Sequence, residues 1–414
     1  MRATPTVDRG LLIVVLLLIS FGLLMLYSAG QTDVPTKAEG VWIRQLVWCG
    51  LGVGAAIVAY TVSPRLLEWA APALYIFGVV LLIIVLAVGT GAGTAVSSHS
   101  WLSIGGARIG QPSEFAKLAT VLLLARHLSG LRESPRSLRD LLIPAIIVGI
   151  PFVLVLQQPD LGSALVFVGI FFAMMFWAGT RPLLLFMAAS PGLSLLLAFN
   201  NWTWAVWMIG LVALFLIFRP FVLDAVTVGV ANAVMGAIAM PIWNRLAPYQ
   251  QNRLLTFLNP SVDPQRAGYH AIQSKTAIGS GGAMGQGYIE GPQKRLAFLP
   301  EQHTDFVFSV VGEELGFLGV TVALTLFCLL FLSLVRIARR ASDPFASLLA
   351  FGILGLLFTH VFENVGMTVN VMPITGIPLP FFSYGGSFFL VCCACVGIAL
   401  RVAADSRQSG YIEF

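Results

Sequence analysis

Residues 301 to 314 gather four carboxylates (Glu301, Asp305, Glu313, Glu314) and one imidazole (His303) in a chain that is 57% hydrophobic and only 10% charged. The stretch lies between a long polar segment and an apolar run, where solvent would meet a bilayer, and ionisable side chains at a membrane edge are functional by default. A carboxylate at such a dielectric boundary suits general-base work, because loss of hydration raises its pKa towards neutrality. Asp305 with Glu301 could also supply oxygen ligands to a divalent cation, Mg or Mn. A zinc centre does not fit, since the cluster has neither a HExxH helix nor a cysteine pair. The plainer alternative is a helix start carrying acids that complement its dipole.

Three further polar segments interrupt the apolar sequence. In the segment from Ser97 to Lys117, Pro112 suits an early helical position, and Glu114 and Lys117 fall three apart on one helix face. That pair reads equally as an interfacial couple snorkelling to headgroups or as one buried in the bundle, where losing either partner would be costly. Asp160, in the turn Gln157 to Ser163, is either a helix N-cap or a site carboxylate. The segment 244 to 306 is longer than connections usually are unless they have a function. Its glycines at 279, 281, 282, 285 and 287 lack the spacing of a nucleotide loop and read better as a hinge. Their backbone N–H groups near Lys275, Lys294 and Arg295 could nonetheless receive a pyrophosphate.

These segments need a membrane-embedded frame. A mean hydropathy of +0.88 and repeated stretches near 20 residues exclude a soluble fold and predict an all-α polytopic membrane protein, one domain over 1–414. Twelve spans are expected, at about 11–29, 41–62, 71–91, 112–129, 139–157, 160–178, 183–200, 202–218, 221–243, 315–335, 345–363 and 385–402. With the N-terminus inside, the arginines of the short connections (Arg65, Arg126 to Arg139, Arg181, Arg219, Arg336 to Arg340, Arg401) all fall on the cytoplasmic side. Both termini are then cytoplasmic and 244–306 is one large extracytoplasmic loop. The first span has no small-residue cleavage site and reads as retained. Four of the five cysteines lie within spans, where they pack as small apolar residues. The net charge of +5 follows from topology and does not indicate nucleic acid.

Together these residues resemble the SEDS family (shape, elongation, division and sporulation), more closely its rod-shape branch, RodA, than its cell-division relative FtsW. The resemblance covers nearly the whole chain. It rests on QPSEFAK at 111–117, QPDLGSA at 158–164, FLNPSVDPQRAGYHAIQSKTAIGSGG at 257–282, FLPEQHTDFVFSVVGEELG at 298–316 and NVGMTVNVMPITGIPLPFFSYGGS at 364–387. It implies a peptidoglycan glycosyltransferase that polymerises lipid II at the outer face of the bacterial cytoplasmic membrane, alongside a class B penicillin-binding protein and the elongation machinery. Asp305 matches the family's essential aspartate, Glu114 and Lys117 a salt bridge near the cavity, Asp160 a further sensitive acid, and Lys275 and His303 positions in the loop motifs. One departure is plain. The family normally has ten spans, with one between the turn near Arg181 and the large loop, whereas here there is apolar material for three. Two extra spans preserve the side of every later loop.

In the implied reaction an acceptor sugar hydroxyl attacks the anomeric carbon of a lipid-linked donor and undecaprenyl pyrophosphate leaves. Asp305 would be the base, and Lys117, Arg108, Lys275 or a divalent cation would meet the leaving charge. Two rival readings share the composition: a flippase for lipid-linked precursors, which needs polar residues at mid-membrane depth, and a scaffold for wall-synthesis partners, which would tolerate loss of Asp305.

Overall fold

The computed structural model describes residues 7–89, 100–104, 107–246, 251–252, 255–257, 267–299 and 301–410. Residues 247–250, 253–254, 258–266 and 300 of the expected loop 244–306, and 97–99 and 105–106 of the segment 97–117, therefore lie outside the described residues.

Helices occupy all twelve apolar stretches. They are α1 (Arg9–Ala29), α2 (Val41–Thr61), α3 (Pro64–Val88), α4 (Pro112–Ser129), α5 (Leu142–Gln157), α6 (Leu161–Trp177), α7 (Pro182–Leu197), α8 (Asn201–Phe218), α9 (Val222–Arg245), α12 (Val307–Arg340), α13 (Pro344–Thr368) and α14 (Gly386–Gly410). Two shorter helices, α10 (Ala267–Ser280) and α11 (Pro292–Arg295), lie in the long connection. Among the described residues nine helices are long and apolar enough to cross a membrane, while α6 and α7 are apolar but shorter. The chain is a multi-pass membrane protein. A small antiparallel hairpin, β1 (Leu102–Ile104) with β2 (Ala107–Gly110), is the exception to an otherwise helical fold among the described residues.

Local chemistry sets the helix starts that matter for the site. Pro112 opens α4 with Glu114 in its first turn and Arg126 and His127 in its last, each complementing the helix dipole. Asp160 is the N-cap of α6, its carboxylate accepting from the Ser163 N–H at 3.0 Å.

α13 forms the centre of the bundle, packed against α4, α6 and α12, and 72% of its apolar window is buried. At the other extreme only 6% of α8 is buried. Helices α7, α8 and α9 pack mainly on one another, around Met187, Leu211 and Val228. Asn232 of α9 ties the three together: its amide donates to Ser190 Oγ at 2.8 Å and accepts from Trp207 Nε1 at 3.0 Å.

The acidic stretch departs from expectation. α12 begins at Val307, eight residues before the expected span, and bends at Gly316, whose φ of 59° and ψ of −155° leave the helical region. Glu313 and Glu314 are thereby fully buried, not placed at a solvent boundary. Glu314 pairs with the equally buried Lys294 at 2.7 Å and accepts from Ser28 Oγ at 2.6 Å, while Glu313 accepts from the Gln293 N–H at 2.6 Å. The glycine run docks on this bend: the N–H groups of Gln286 and Gly287 donate to the Glu313 and Glu314 carbonyls at 2.9 and 3.1 Å. A Cβ at Gly285 would overlap the Glu314 carbonyl oxygen, so only glycine permits the approach. Neither those N–H groups nor Lys294 is therefore available to a pyrophosphate. Arg295 is also engaged, with Asp33 at 3.1 Å.

Candidate active site

Asp305 sits on a tight turn just before α12. The Glu301 carbonyl closes it, accepting from the N–H groups of Thr304 and Asp305 at 3.1 Å, with Glu301 itself at φ 45°. The end of α13 and the segment between α13 and α14 clamp the turn from the other side. Asn364 Nδ2 donates to the Asp305 carbonyl at 2.9 Å and to the Ile377 carbonyl at 2.7 Å, and the Tyr384 N–H donates to the His303 carbonyl at 2.9 Å. Ser383 Oγ donates to the Thr304 carbonyl while accepting from the Leu379 N–H. The Asp305 carboxylate faces Gly376, where a Cβ would stand 3.2 Å from Oδ2; Gly376 also has φ 72°, so both the close approach and the backbone favour glycine there.

His303 is buried beside Tyr384, with ring centroids 6.2 Å apart, and the Arg44 guanidinium lies 5.7 Å from the centre of the same tyrosine ring. Burial holds the His303 pKa below the ordinary 6.5; Arg44 and Lys37 push the same way, and Glu301 opposes them. Arg44 and Lys37 are thus cations beside the Asp305 turn that sequence reasoning missed. Glu301, expected next to Asp305 as a possible metal ligand, shares the turn but exposes its side chain. Among the described residues no group of three or more His, Cys, Asp or Glu gathers as a metal centre.

A second polar cluster is buried between α4, α6 and α13. Glu114 and Lys117 form an ion pair of 2.8 Å with both side chains buried, which decides against the snorkelling couple. Lys117 Nζ also lies 3.0 Å from His360 Nε2. Gln111 Nε2 donates to Asp160 Oδ2 at 2.8 Å, joining Asp160 to the start of α4. Glu363 is buried in the sphere of Lys117 and Asp160, and neither of its oxygens has a hydrogen-bond partner among the described residues. The two clusters meet on one segment: Thr375 packs on Gly162, Gly376 faces Asp305, and the Pro378 carbonyl lies 3.3 Å from His360 Nδ1.

The expected residues therefore divide into groups. Asp305, His303 and Glu301 share one turn, and Glu114, Lys117 and Asp160 share the buried cluster. Lys117, wholly buried and held by Glu114 and His360, is not placed to meet a leaving group as expected. Lys275 is exposed on α10, whose neighbouring Ser274 is bonded to Ser309 and to the Thr368 carbonyl. Arg108 belongs to β2, and its side chain lies outside what is described. His360, Glu363 and Asn364 were missed. Their signal was a polar stripe at i, i+3 and i+4 on one face of an apolar helix, at the end of the expected span 345–363.

Residues 8–217 and 193–408 match the FTSW_RODA_SPOVE family, described as cell cycle protein. The chain belongs to this family. Among its FtsW/RodA/SpoVE relatives, the peptidoglycan glycosyltransferase MrdB of Escherichia coli strain K12 is 35% identical over 403 residues, covering 97% of this chain and 94% of its own. A probable peptidoglycan glycosyltransferase FtsW of Geobacter metallireducens is 36% identical over 405 residues, covering 97% and 95%, so identity alone does not separate the branches. Among solved structures, a chain from work on structural coordination of polymerization and crosslinking by a peptidoglycan synthase complex superposes with a TM-score of 0.70 at 30% identity, over 97% of this chain and 99% of that one. The two family matches overlap over 193–217, within the α7–α8 stretch that the sequence reads as extra.

Proposed function

We propose that the chain, a peptidoglycan glycosyltransferase by its family, polymerises lipid II at the outer face of the bacterial cytoplasmic membrane with Asp305 as general base. The acceptor sugar hydroxyl gives its proton to the Asp305 carboxylate as its oxygen attacks the donor's anomeric carbon, and the bond to undecaprenyl pyrophosphate breaks with its electron pair leaving on the pyrophosphate. The observation that carries this reading is the Asp305 carboxylate facing Gly376, on a turn whose backbone is fixed by Asn364 and Ser383. A base must be held still to be effective. Arg44 and Lys37, beside the same turn, with Lys275 and Arg108 from the surrounding segments, are the cations that would answer the leaving charge.

A divalent cation, Mg or Mn, suits the oxygen donors Asp305 and Glu301, and the space that a side chain at Gly376 would fill lies beside the carboxylate. Asp305 and Glu301 would hold it, and it would supply positive charge to screen the pyrophosphate.

Twelve crossings with both termini cytoplasmic, a core of ten plus two, and 244–306 outside are the topology this reading uses. Its partners are a class B penicillin-binding protein and the elongation machinery, with no nucleic acid. The flippase reading is less well supported: Asp305 at the start of α12, Glu114 at the start of α4, Asp160 at the start of α6 and His360 to Asn364 at the end of α13 gather at one end of the bundle. A scaffold gives no reason for a carboxylate so held. The test is polymerisation of purified lipid II by the full chain, with and without the transpeptidase partner. Asp305→Asn should yield no polymer while remaining folded, and polymer at the native rate would remove the base.

A further inference from the structure

The buried ion pair and the Asp305 turn are not independent, because one side chain connects them. Lys117 Nζ lies 2.8 Å from Glu114 Oε1, the distance of an ammonium bonded to a carboxylate. An ammonium only donates, so His360 Nε2, 3.0 Å away, must accept, and the ring proton must stand on Nδ1. Nδ1 then donates to the Pro378 carbonyl at 3.3 Å. One helical turn on, Asn364 holds the adjacent Ile377 carbonyl and the Asp305 carbonyl. Two successive carbonyls of the segment that carries Gly376 are thus held from one face of α13, and Gly376 is what the Asp305 carboxylate lies against.

We propose that His360 is a positioning residue for Asp305: neutral and protonated at Nδ1, it transmits the fixed orientation of the Glu114–Lys117 pair to the Pro378 carbonyl and so sets the segment facing the base. The ion pair's contribution to the reaction then passes through His360, not through contact of Lys117 with the leaving group. His360 also packs flat on Phe388, with ring centroids 4.4 Å apart, so its plane is set by stacking as well as by hydrogen bonds. The inference rests on the reading of Asp305 as base, and a displaced base costs rate more than it costs binding.

Three substitutions separate the roles of the ring, with rates measured on the purified full chain and lipid II. His360→Phe keeps the packing on Phe388 and removes both hydrogen bonds. It should lower kcat by about 10- to 100-fold with KM little changed. His360→Asn can still donate near the Nδ1 position to Pro378, whereas His360→Gln can accept only near Nε2 from Lys117. Asn should therefore recover more kcat than Gln, an order that a merely space-filling role would not produce. A Gln variant equal to or better than Asn would overturn the proposal, as would native kcat in His360→Phe. Should His360→Phe fail to insert, the Asn and Gln comparison still decides. Asp305→Asn is the control for the underlying reading: activity surviving there removes the base, while a reversed Asn and Gln order removes only the link through His360.

Discussion

Asn364 joins Asp305 to Ile377 through one side-chain amide, which donates to both backbone carbonyls at 2.9 and 2.7 Å although Asp305 is 59 residues away in sequence. Asn364→Leu keeps the branched shape and leaves both carbonyls without that donor. Leaving the buried Ile377 carbonyl without this donor costs about 1–3 kcal/mol. The expected outcome is a lower thermal midpoint together with a kcat loss of at least about tenfold. Unchanged kcat in a folded Asn364→Leu would show that the Asp305 turn keeps its place without the clamp.

The Glu114–Lys117 pair makes a different prediction, since removing one partner leaves a buried charge. Lys117→Ala and Glu114→Ala should each destabilise the protein by about 3–5 kcal/mol. The double variant should cost less than their sum, by about 0.5–3 kcal/mol of coupling. Unfolding in detergent would measure this, and strict additivity would mean that the pair does not act as a unit.

His303 predicts a pH dependence of fixed sign. Its folded pKa lies below 6.5, the ordinary value expected of the unfolded chain, so between those two values the unfolded state binds more protons. Stability is accordingly whole above about 6.5 and falls as the pH drops towards the folded pKa. The groups bearing on the ring are Glu301, Arg44 and Lys37. His303→Gln should flatten the acid side of a plot of thermal midpoint against pH. An identical slope in the variant would assign the acid sensitivity to other groups.

Topology can be read with a cysteine reagent that does not cross the inner membrane, after the native cysteines are replaced. A cysteine at the exposed position of Met284 should react from outside, and one at Ser134, beside the arginines at 132, 136 and 139, should not. The opposite pattern would invert the orientation proposed for every loop.

What the sequence revealed and what it hid follow one physical rule. The helices and the Asp160 cap depend on neighbours a few residues away, and so does the Glu114–Lys117 pair, so apolar run length and local spacing were enough. The burial of Glu313 and Glu314 was hidden because it depends on remote partners: Ser28, 286 residues from Glu314, and Lys294, whose burial a composition cannot foretell. The glycine run looked like a hinge or an anion cradle for the same reason, its contact being the bend at Gly316. His360, Glu363 and Asn364 went unread because apolar residues on either side carried the helix signal past them. Asp305 was found through its motif, while the Asn364, Ser383 and Tyr384 contacts that hold its turn come from a segment more than 50 residues away.

The last prediction concerns α7 and α8. Residues 183 to 218 contain no Asp, Glu, Lys or Arg, so they offer no acid, base or cation for sugar chemistry, and α8 turns nearly all of its apolar surface outward. Their polar contacts point instead to α9: Ser190 and Trp207 bond the Asn232 side chain, Ser194 bonds its carbonyl at 2.8 Å, and Trp204 bonds Ser194. In the proposed topology, deleting both helices preserves the side of all later loops, whereas deleting one would carry Asp305 to the cytoplasm. The double deletion also strands Asn232 in lipid, where an unsatisfied amide is costly, so it should be made together with Asn232→Leu. That variant is expected to insert and to retain polymerisation of lipid II in detergent, and either single deletion to lose it. A stable, correctly inserted double deletion without activity would show that α7 and α8 contribute to the catalytic cavity, and the extra pair would then belong to the enzyme's working core.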